Sequence, residues 1–282
     1  MPVAHVRGVS INYEVHGSHG PWMALSPGGR RALDSVRGLA QRMAAAGFRV
    51  LIHDRRNCGL SDIVIGGDKS EYETWVDDLY ELLTQLGALP VIIGGSSSGC
   101  RLSILFALNH PQDVRALLLW RVTGGAFAAA RLTENYYGQY IRAAQSGGMA
   151  AVCELEHFKE RIAARPDNRA ALMALDPRAF IAAMERWRSQ FAKGAELPII
   201  GASAQDLGSI HVPTCIIPGN DRTHGHAVGE AAHRMIPGSE LYDLFPGDLD
   251  IDLVPAEDWT AKDAEMAAVF TDFLARAQLK AA

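Results

Sequence analysis

The most reactive arrangement in the chain is Gly95-Ser96-Ser97-Ser98-Gly99, a serine with a glycine two residues to either side. A serine hydroxyl is a weak nucleophile until a neighbouring group takes its proton. The Gly-x-Ser-x-Gly spacing addresses the geometry of that problem. A serine on a sharp strand-to-helix turn sits in a strained backbone conformation, so only small neighbours fit. The helix that follows aims its free N–H groups and positive dipole end at the place where an oxyanion forms. Gly and Ser are common, so the motif takes its weight from context. Here it follows the apolar run Val91-Ile92-Ile93 and precedes a helical stretch, Arg101 to Asn109, closed by Pro111.

The elements that must position this serine can be read from periodicity. Val3 to Gly17 alternates as a hairpin or two short strands. Trp22 to Leu25 is a strand that ends in Ser26-Pro27-Gly28-Gly29. Leu33 to Ala46 is helical and stops at Gly47. Arg49 to His53 is a strand, and Tyr72 to Leu86 an amphipathic helix. Val114 to Trp120 and Thr214 to Ile217 are further strands. Ala227 to Met235 is a helix, Leu241 to Phe245 the last strand, and Asp258 to Ala277 the last helix. Strands alternating with helices predict an α/β fold, a mostly parallel sheet covered on both faces. The alternation breaks at 126–200, where Leu132 to Ser146, Met149 to Ala164 and Pro177 to Lys193 read as helices. Gly147-Gly148 and Pro166-Asp167-Asn168 punctuate them. The expected organisation is a core of residues 1–125 and 201–282 with a helical cap inserted between two strands. No internal repeat or low-complexity tract interrupts it.

With these motifs in place, nearly the whole chain resembles the α/β-hydrolase superfamily with a helical cap. Asp54-Arg55-Arg56-Asn57-Cys58-Gly59-Leu60-Ser61-Asp62 is similar to the family's D-x-R-G-x-G-x-S loop, with Asn57 in place of a Gly. Gly219-Asn220-Asp221 resembles the G-x-x-D stretch that carries the acid of the triad, which implies that role for Asp221. Two places depart from the pattern. Where the family commonly has H-G-x-x at an oxyanion loop, this chain has Ser26-Pro27-Gly28-Gly29-Arg30. The glycines still permit close backbone approach, so Gly29 or Arg30 is expected to supply one oxyanion N–H and Ser98 the other. The second departure concerns the base. The family's His follows the last strand; here that place reads Phe245-Pro246-Gly247-Asp248-Leu249-Asp250, and no His occurs after His233. Asp248 stands where the His is expected, and an ionised Asp is a poor base for a hydroxyl.

Asp221-Arg222-Thr223-His224-Gly225-His226 offers a replacement. His224 lies three residues past the presumed acid, so His224 is read as the base, with Asp221 or Asp248 orienting its imidazole. Triads are defined by geometry and not by chain order. The competing reading makes His224 and His226 a solvent-exposed start of the next helix. A metal reading also competes, since Asp221, His224, His226, Asp248, Asp250 and Asp252 are ligand types for zinc or a similar ion; no metal is assigned.

For substrate contact, Arg30 is a candidate partner for a substrate carboxylate. Trp120-Arg121 ends the strand before the helical segment and is placed to reach a pocket, and Tyr136, Tyr137, Phe180, Met184 and Trp187 fit the apolar faces of its helices. Of these, Trp120, Tyr137 and Trp187 are the candidate pocket residues. Cys100 reads as a small core residue, His53 as locally packed, and His157 as a lone helical His.

Composition bounds the rest. The 282 residues, 48% hydrophobic and 21% charged, are those of a globular chain able to bury a core. The net charge of -5 with interspersed signs excludes nucleic acid as a natural partner. Four scattered cysteines suit a reducing compartment, and no apolar run is long enough to span a bilayer, so a cytoplasmic location is expected. A homodimer is allowed without being required. The resemblance implies a serine hydrolase acting on a small organic ester, thioester, lactone or C–C bond, with no organic cofactor. A lyase on the same fold, or a binding relative that has lost its base, remains the alternative.

Overall fold

A computed structural model describes residues 2–245 and 247–279. Eight strands form one sheet: β1 (Val3–Val6), β2 (Val9–His16), β3 (Trp22–Ser26), β4 (Arg49–His53), β5 (Val91–Ser96), β6 (Val114–Trp120), β7 (Thr214–Ile217) and β8 (Glu240–Leu241). Their spatial order is β1-β2-β4-β3-β5-β6-β7-β8. The first two strands pair antiparallel, β2 also pairs antiparallel with β4, and every later pairing is parallel.

Strand alternation divides the core in two. On β5, Ile93 joins the larger cluster and Ile92 the smaller; on β6, Leu117 and Leu119 face one way and Ala116, Leu118 and Trp120 the other. Helices α1 (Arg37–Ala45), α2 (Glu71–Gln85) and α3 (Ser98–Asn109) connect the first six strands. Leu79 and Leu82 of α2 and Leu102 and Phe106 of α3 cover the first face. Leu39 and Met43 of α1 cover the second. Between β6 and β7 stand α4 (Gly125–Thr133), a π-helical turn (Glu134–Gly138), α5 (Gln139–Cys153), α6 (Glu156–Ala164), α7 (Asp167–Met173), α8 (Pro177–Ala192) and α9 (Ala204–Gly208). After β7 come α10 (His226–Met235), α11 (Ala256–Thr260) and α12 (Asp263–Arg276). The fold is the α/β-hydrolase fold.

Two readings of local structure need correction. The last strand is only Glu240–Leu241, not Leu241 to Phe245, because the chain turns away at Asp243, whose carboxylate accepts from Phe245 N at 3.2 Å. The expected last helix is two, α11 and α12, separated at Ala261 and Lys262. The break expected at Gly147-Gly148 is present within α5, where two helical segments meet at a kink: both glycines leave helical φ/ψ, Gly148 with φ +63 and ψ -158, a conformation that favours glycine.

Candidate active site

Ser97 joins β5 to α3 with φ +52 and ψ -108, strain that a non-glycine residue holds only where its surroundings fix it. The flanking glycines are steric requirements. A Cβ on Gly95 would lie 2.5 Å from the backbone of Gly99, and one on Gly99 would lie 2.2 Å from the carbonyl oxygen of Ser26. The turn is pinned from the side by Ser97 N, which donates to Trp120 O at 3.1 Å.

The hydroxyl meets an imidazole. Ser97 Oγ lies 2.8 Å from His224 Nε2, and His224 Nδ1 lies 3.0 Å from Asp221 Oδ1. With its proton on Nδ1, shared with the carboxylate, the ring leaves Nε2 free to accept the Ser97 proton. Local backbone geometry makes the pair. His224 N donates to the carbonyl of Asp221 at 3.0 Å, closing a tight turn. Asp221 Oδ1 also accepts from Thr223 N at 3.0 Å and His224 N at 2.8 Å. Gly219 is needed beneath the turn, since a Cβ there would come within 2.2 Å of the His224 carbonyl.

Asp221 is fully buried. Its second oxygen accepts from Val254 N at 2.9 Å and Arg121 Nη2 at 3.1 Å. Burial works against the ionised form, but the hydrogen bond and charge of His224, the Val254 N–H and the Arg121 cation hold the carboxyl well below its usual range. His224 moves down to about 4. Burial is the main cause; the Asp221 hydrogen bond pulls the other way, and the Arg121 charge adds to the lowering. The imidazole is therefore neutral at pH 7, the state a base requires.

Gly28 and Gly29 pass over the serine; a Cβ on Gly28 would lie 3.4 Å from that of Ser97. Gly29 has φ +49, and Arg55 Nη2 donates to its carbonyl at 2.7 Å, fixing the loop. Among the described residues, neither Gly29 N nor Ser98 N has a hydrogen-bond acceptor. The site opens into a cavity of about 960 Å³ lined by both glycines, Ser97, Arg121, His224 and residues of α4 to α6.

The structure separates the other candidates. Asp248 is exposed and away from the serine; its Oδ1 accepts from His226 N at 2.8 Å, capping α10. The early end of β8 accounts for this, because it places residue 248 on an outer loop, where Leu249 N donates to Asn220 O at 2.8 Å. Arg30 keeps its guanidinium from the reacting centre: it is buried against Glu71 at 2.9 Å. Trp120 lines the cavity while its indole packs on Phe270. Tyr137 is buried, its hydroxyl donating to Glu71 at 3.1 Å. Its neighbour Tyr136 lines the cavity instead, with its hydroxyl 3.3 Å from Ser98 Oγ. The π-helical turn at Glu134–Gly138 changes which residue faces inward, and a 3.6-residue period does not anticipate that. Trp187 donates to the Lys69 carbonyl at 3.1 Å, outside the cavity lining. Among the described residues, no group of three or more His, Cys, Asp or Glu gathers to hold a metal ion.

Arg121, read from the sequence only as a residue at the end of a strand that could reach the pocket, has φ +57 and buttresses Asp221. Thr123 escaped the sequence reading; its hydroxyl lies 3.3 Å from Ser97 Oγ. Both lie within three residues of the end of β6, the strand beside β5 in the sheet, and that position was the available signal.

A strained serine on the β5–α3 turn, beneath a glycine loop and facing a cavity, goes with the α/β-hydrolase fold, and part of the chain is similar in sequence to proteins of that fold. A family model described as the alpha/beta hydrolase fold matches residues 21–122. YraK of Bacillus subtilis, an uncharacterized hydrolase, is 31% identical over 113 residues, 40% of this chain and 41% of that protein. This chain thus aligns with less than half of that relative. A proline iminopeptidase of Lactobacillus delbrueckii subsp. bulgaricus is 23% identical over 249 residues, 80% of this chain and 82% of that one. Among solved structures, the enol-lactonase from Burkholderia xenovorans superposes with TM-score 0.64 at 21% identity, covering 97% of this chain and all of that one. An esterase from Thermogutta terrifontis gives TM-score 0.64 at 18% identity over 98% of each. Among the described residues, no helix is long and apolar enough to cross a membrane.

Proposed function

We propose that the protein is a serine hydrolase of small organic carbonyl compounds, an ester, thioester, lactone or activated C–C bond. The observation that carries this reading is the contact chain Ser97 Oγ, His224 Nε2, His224 Nδ1, Asp221 Oδ1, at 2.8 and 3.0 Å. Ser97 Oγ attacks the carbonyl carbon as Nε2 takes its proton. The N–H groups of Ser98 and Gly29 receive the charge that moves onto the carbonyl oxygen. The imidazolium then gives its proton to the departing group, leaving an acyl-serine. A water, deprotonated by the same nitrogen, releases the acid and restores the serine. Asp221 stays ionised throughout and steadies the imidazolium.

Helices within 126–200 cap the cavity in this reading, since Leu132, Tyr136, Tyr140 and His157 form part of its wall. An enol-lactonase and an esterase among the structural neighbours are compatible with acyl transfer.

A fluorophosphonate probe tests the assignment. Adduct formation on Ser97, located by peptide mass spectrometry, is expected, with labelling slowed about 100-fold or more in His224→Ala, the scale of a lost general base. An unlabelled Ser97, or equal labelling of the two proteins, overturns it.

A further inference from the structure

The charges along the cavity are mostly settled within the protein. Arg30 is held by Glu71, Arg121 by Asp221 and Arg37 by Glu14. Arg161 donates to the carbonyls of Gly59 and Ser61. Arg31 and Arg131 differ. Both line the cavity, and neither side chain has an acceptor or acidic partner among the described residues. An arginine facing a cavity with its five N–H donors uncommitted is suited to a planar anion, which it can grip through two parallel hydrogen bonds.

Their placement is tied to the reacting centre. Arg31 follows the Gly28-Gly29 loop that crosses Ser97, and its backbone N–H is fixed by Gly28 O at 3.2 Å. Arg131 lies in the last turn of α4, one residue before the cavity-lining Leu132, and its charge reaches His224. The two cations thus come from the core loop and the inserted helices. Of the acids on the cavity wall that are exposed, Glu156 and Glu160 sit on α6, where His157 bonds to Asn57 O at 3.0 Å, and Asp34 follows Arg31 by three residues without bonding to its guanidinium.

We propose that the substrate carries a carboxylate, held by Arg31 and Arg131 while Ser97 attacks its acyl carbon. This rests on the hydrolase reading above and narrows it to anionic acyl compounds.

The test compares para-nitrophenyl butyrate, which is neutral, with para-nitrophenyl hemiglutarate, charged on the acyl side. A butyryl ester of a hydroxybenzoate is charged on the leaving side. Preference is the ratio of kcat/KM for a charged ester over the neutral one. At least one charged ester is expected to be preferred about tenfold, with the ratio falling about tenfold in Arg131→Gln or Arg31→Gln, the usual worth of a charge-assisted hydrogen bond. Arg131→Lys should restore part of it. In parallel, free glutarate should protect Ser97 from the fluorophosphonate probe, at a concentration about tenfold higher in the Gln variants. This second arm works even if none of the three esters is turned over. Labelling of Ser97 with no charged-ester preference and no glutarate protection overturns the carboxylate proposal and leaves the hydrolase reading standing. If Ser97 is neither labelled nor needed for turnover, the hydrolase reading falls and the substrate inference falls with it.

Discussion

Arg121 is expected to set the pH at which the enzyme loses activity in acid. Its Nη2 lies 3.5 Å from His224 Nδ1 and 3.1 Å from Asp221 Oδ2, so it repels the imidazolium and competes for the carboxylate that would stabilise it. Over 3.5 Å, two unit charges repel by about 1.2 kcal/mol at the dielectric of water and about 4–5 kcal/mol at an effective constant near 20. One pKa unit corresponds to about 1.4 kcal/mol, so the smaller figure alone is worth roughly one unit. His224 at about 4 must be neutral to accept the Ser97 proton. Activity is therefore full above that value and lost as pH falls through it. In wild type the acid limb of kcat/KM, which reports the free enzyme, should lie near 4. In Arg121→Gln it should move up by about one unit or more, with circular dichroism and thermal melting confirming the fold. Gln keeps an amide donor for Asp221, while the Arg121 bond to the Val254 carbonyl is lost with the charge. A wild-type limb in the ordinary histidine range refutes the buried, neutral base. An unmoved or lowered limb in a folded Arg121→Gln protein refutes the electrostatic argument.

Other outcomes follow from the same geometry. Asp248→Ala should change kcat/KM by less than about threefold, because an exposed cap bond is all it loses, whereas His224→Ala should lower it about 100-fold or more; comparable losses would return Asp248 to the reacting centre. Gly99→Ala should cost about 3 kcal/mol or more in urea unfolding, since the new methyl meets the Ser26 carbonyl at 2.2 Å and backbone cannot swing aside; a cost under about 1 kcal/mol would show that the turn can relax. His53 is buried with both ring nitrogens unbonded, and burial, with the Arg55 charge, pushes it down from 6.5 to about 3. The unfolded chain binds this proton between those values and the folded chain does not, so stability rises with pH across that window and is lost as pH falls through it. At pH 4.5 the loss is about 2–3 kcal/mol, and His53→Leu should shrink the difference between urea unfolding at pH 8 and pH 4.5; an unchanged difference would count against it.

What could be read from residue order was whatever short-range sterics dictate. Gly95 is required by a contact within the elbow, against Gly99, and Gly99 by the Ser26 carbonyl at the end of the neighbouring β3, and the motif carries both glycines at fixed spacing, so Ser97 was legible. Asn57 replaces a family glycine at φ +67, a conformation Asn tolerates better than most residues, so the loop resemblance survives that exchange. The strands β4, β6 and β7 match their apolar runs residue for residue. Legibility fails where a side chain's direction depends on a distant register. Tyr136 and Tyr137 are adjacent, and only the π-helical turn decides which of them faces the cavity. Asp248 matched a family position by alignment, but β8 stops at Leu241 and carries the following loop elsewhere.

The proposed base, His224, fits the same logic. In the resembled pattern, acid and histidine come from two loops, and their distance depends on how both loops pack. Here Asp221 and His224 share one turn closed by the His224 N–H and the Asp221 carbonyl at 3.0 Å. The turn therefore sets their spacing locally, whatever the packing of other loops. What remains for the tertiary fold is to bring that single turn to Ser97, and the parallel register does so: β7 pairs with β6, and β6 with β5. The last loop is then relieved of supplying a base. It still braces the acid: Val254 N donates to Asp221 at 2.9 Å and Val254 O accepts from Arg121 Nη2 at 3.1 Å. Aspartate at position 248 is compatible with that arrangement because the loop no longer has to present a side chain to the serine.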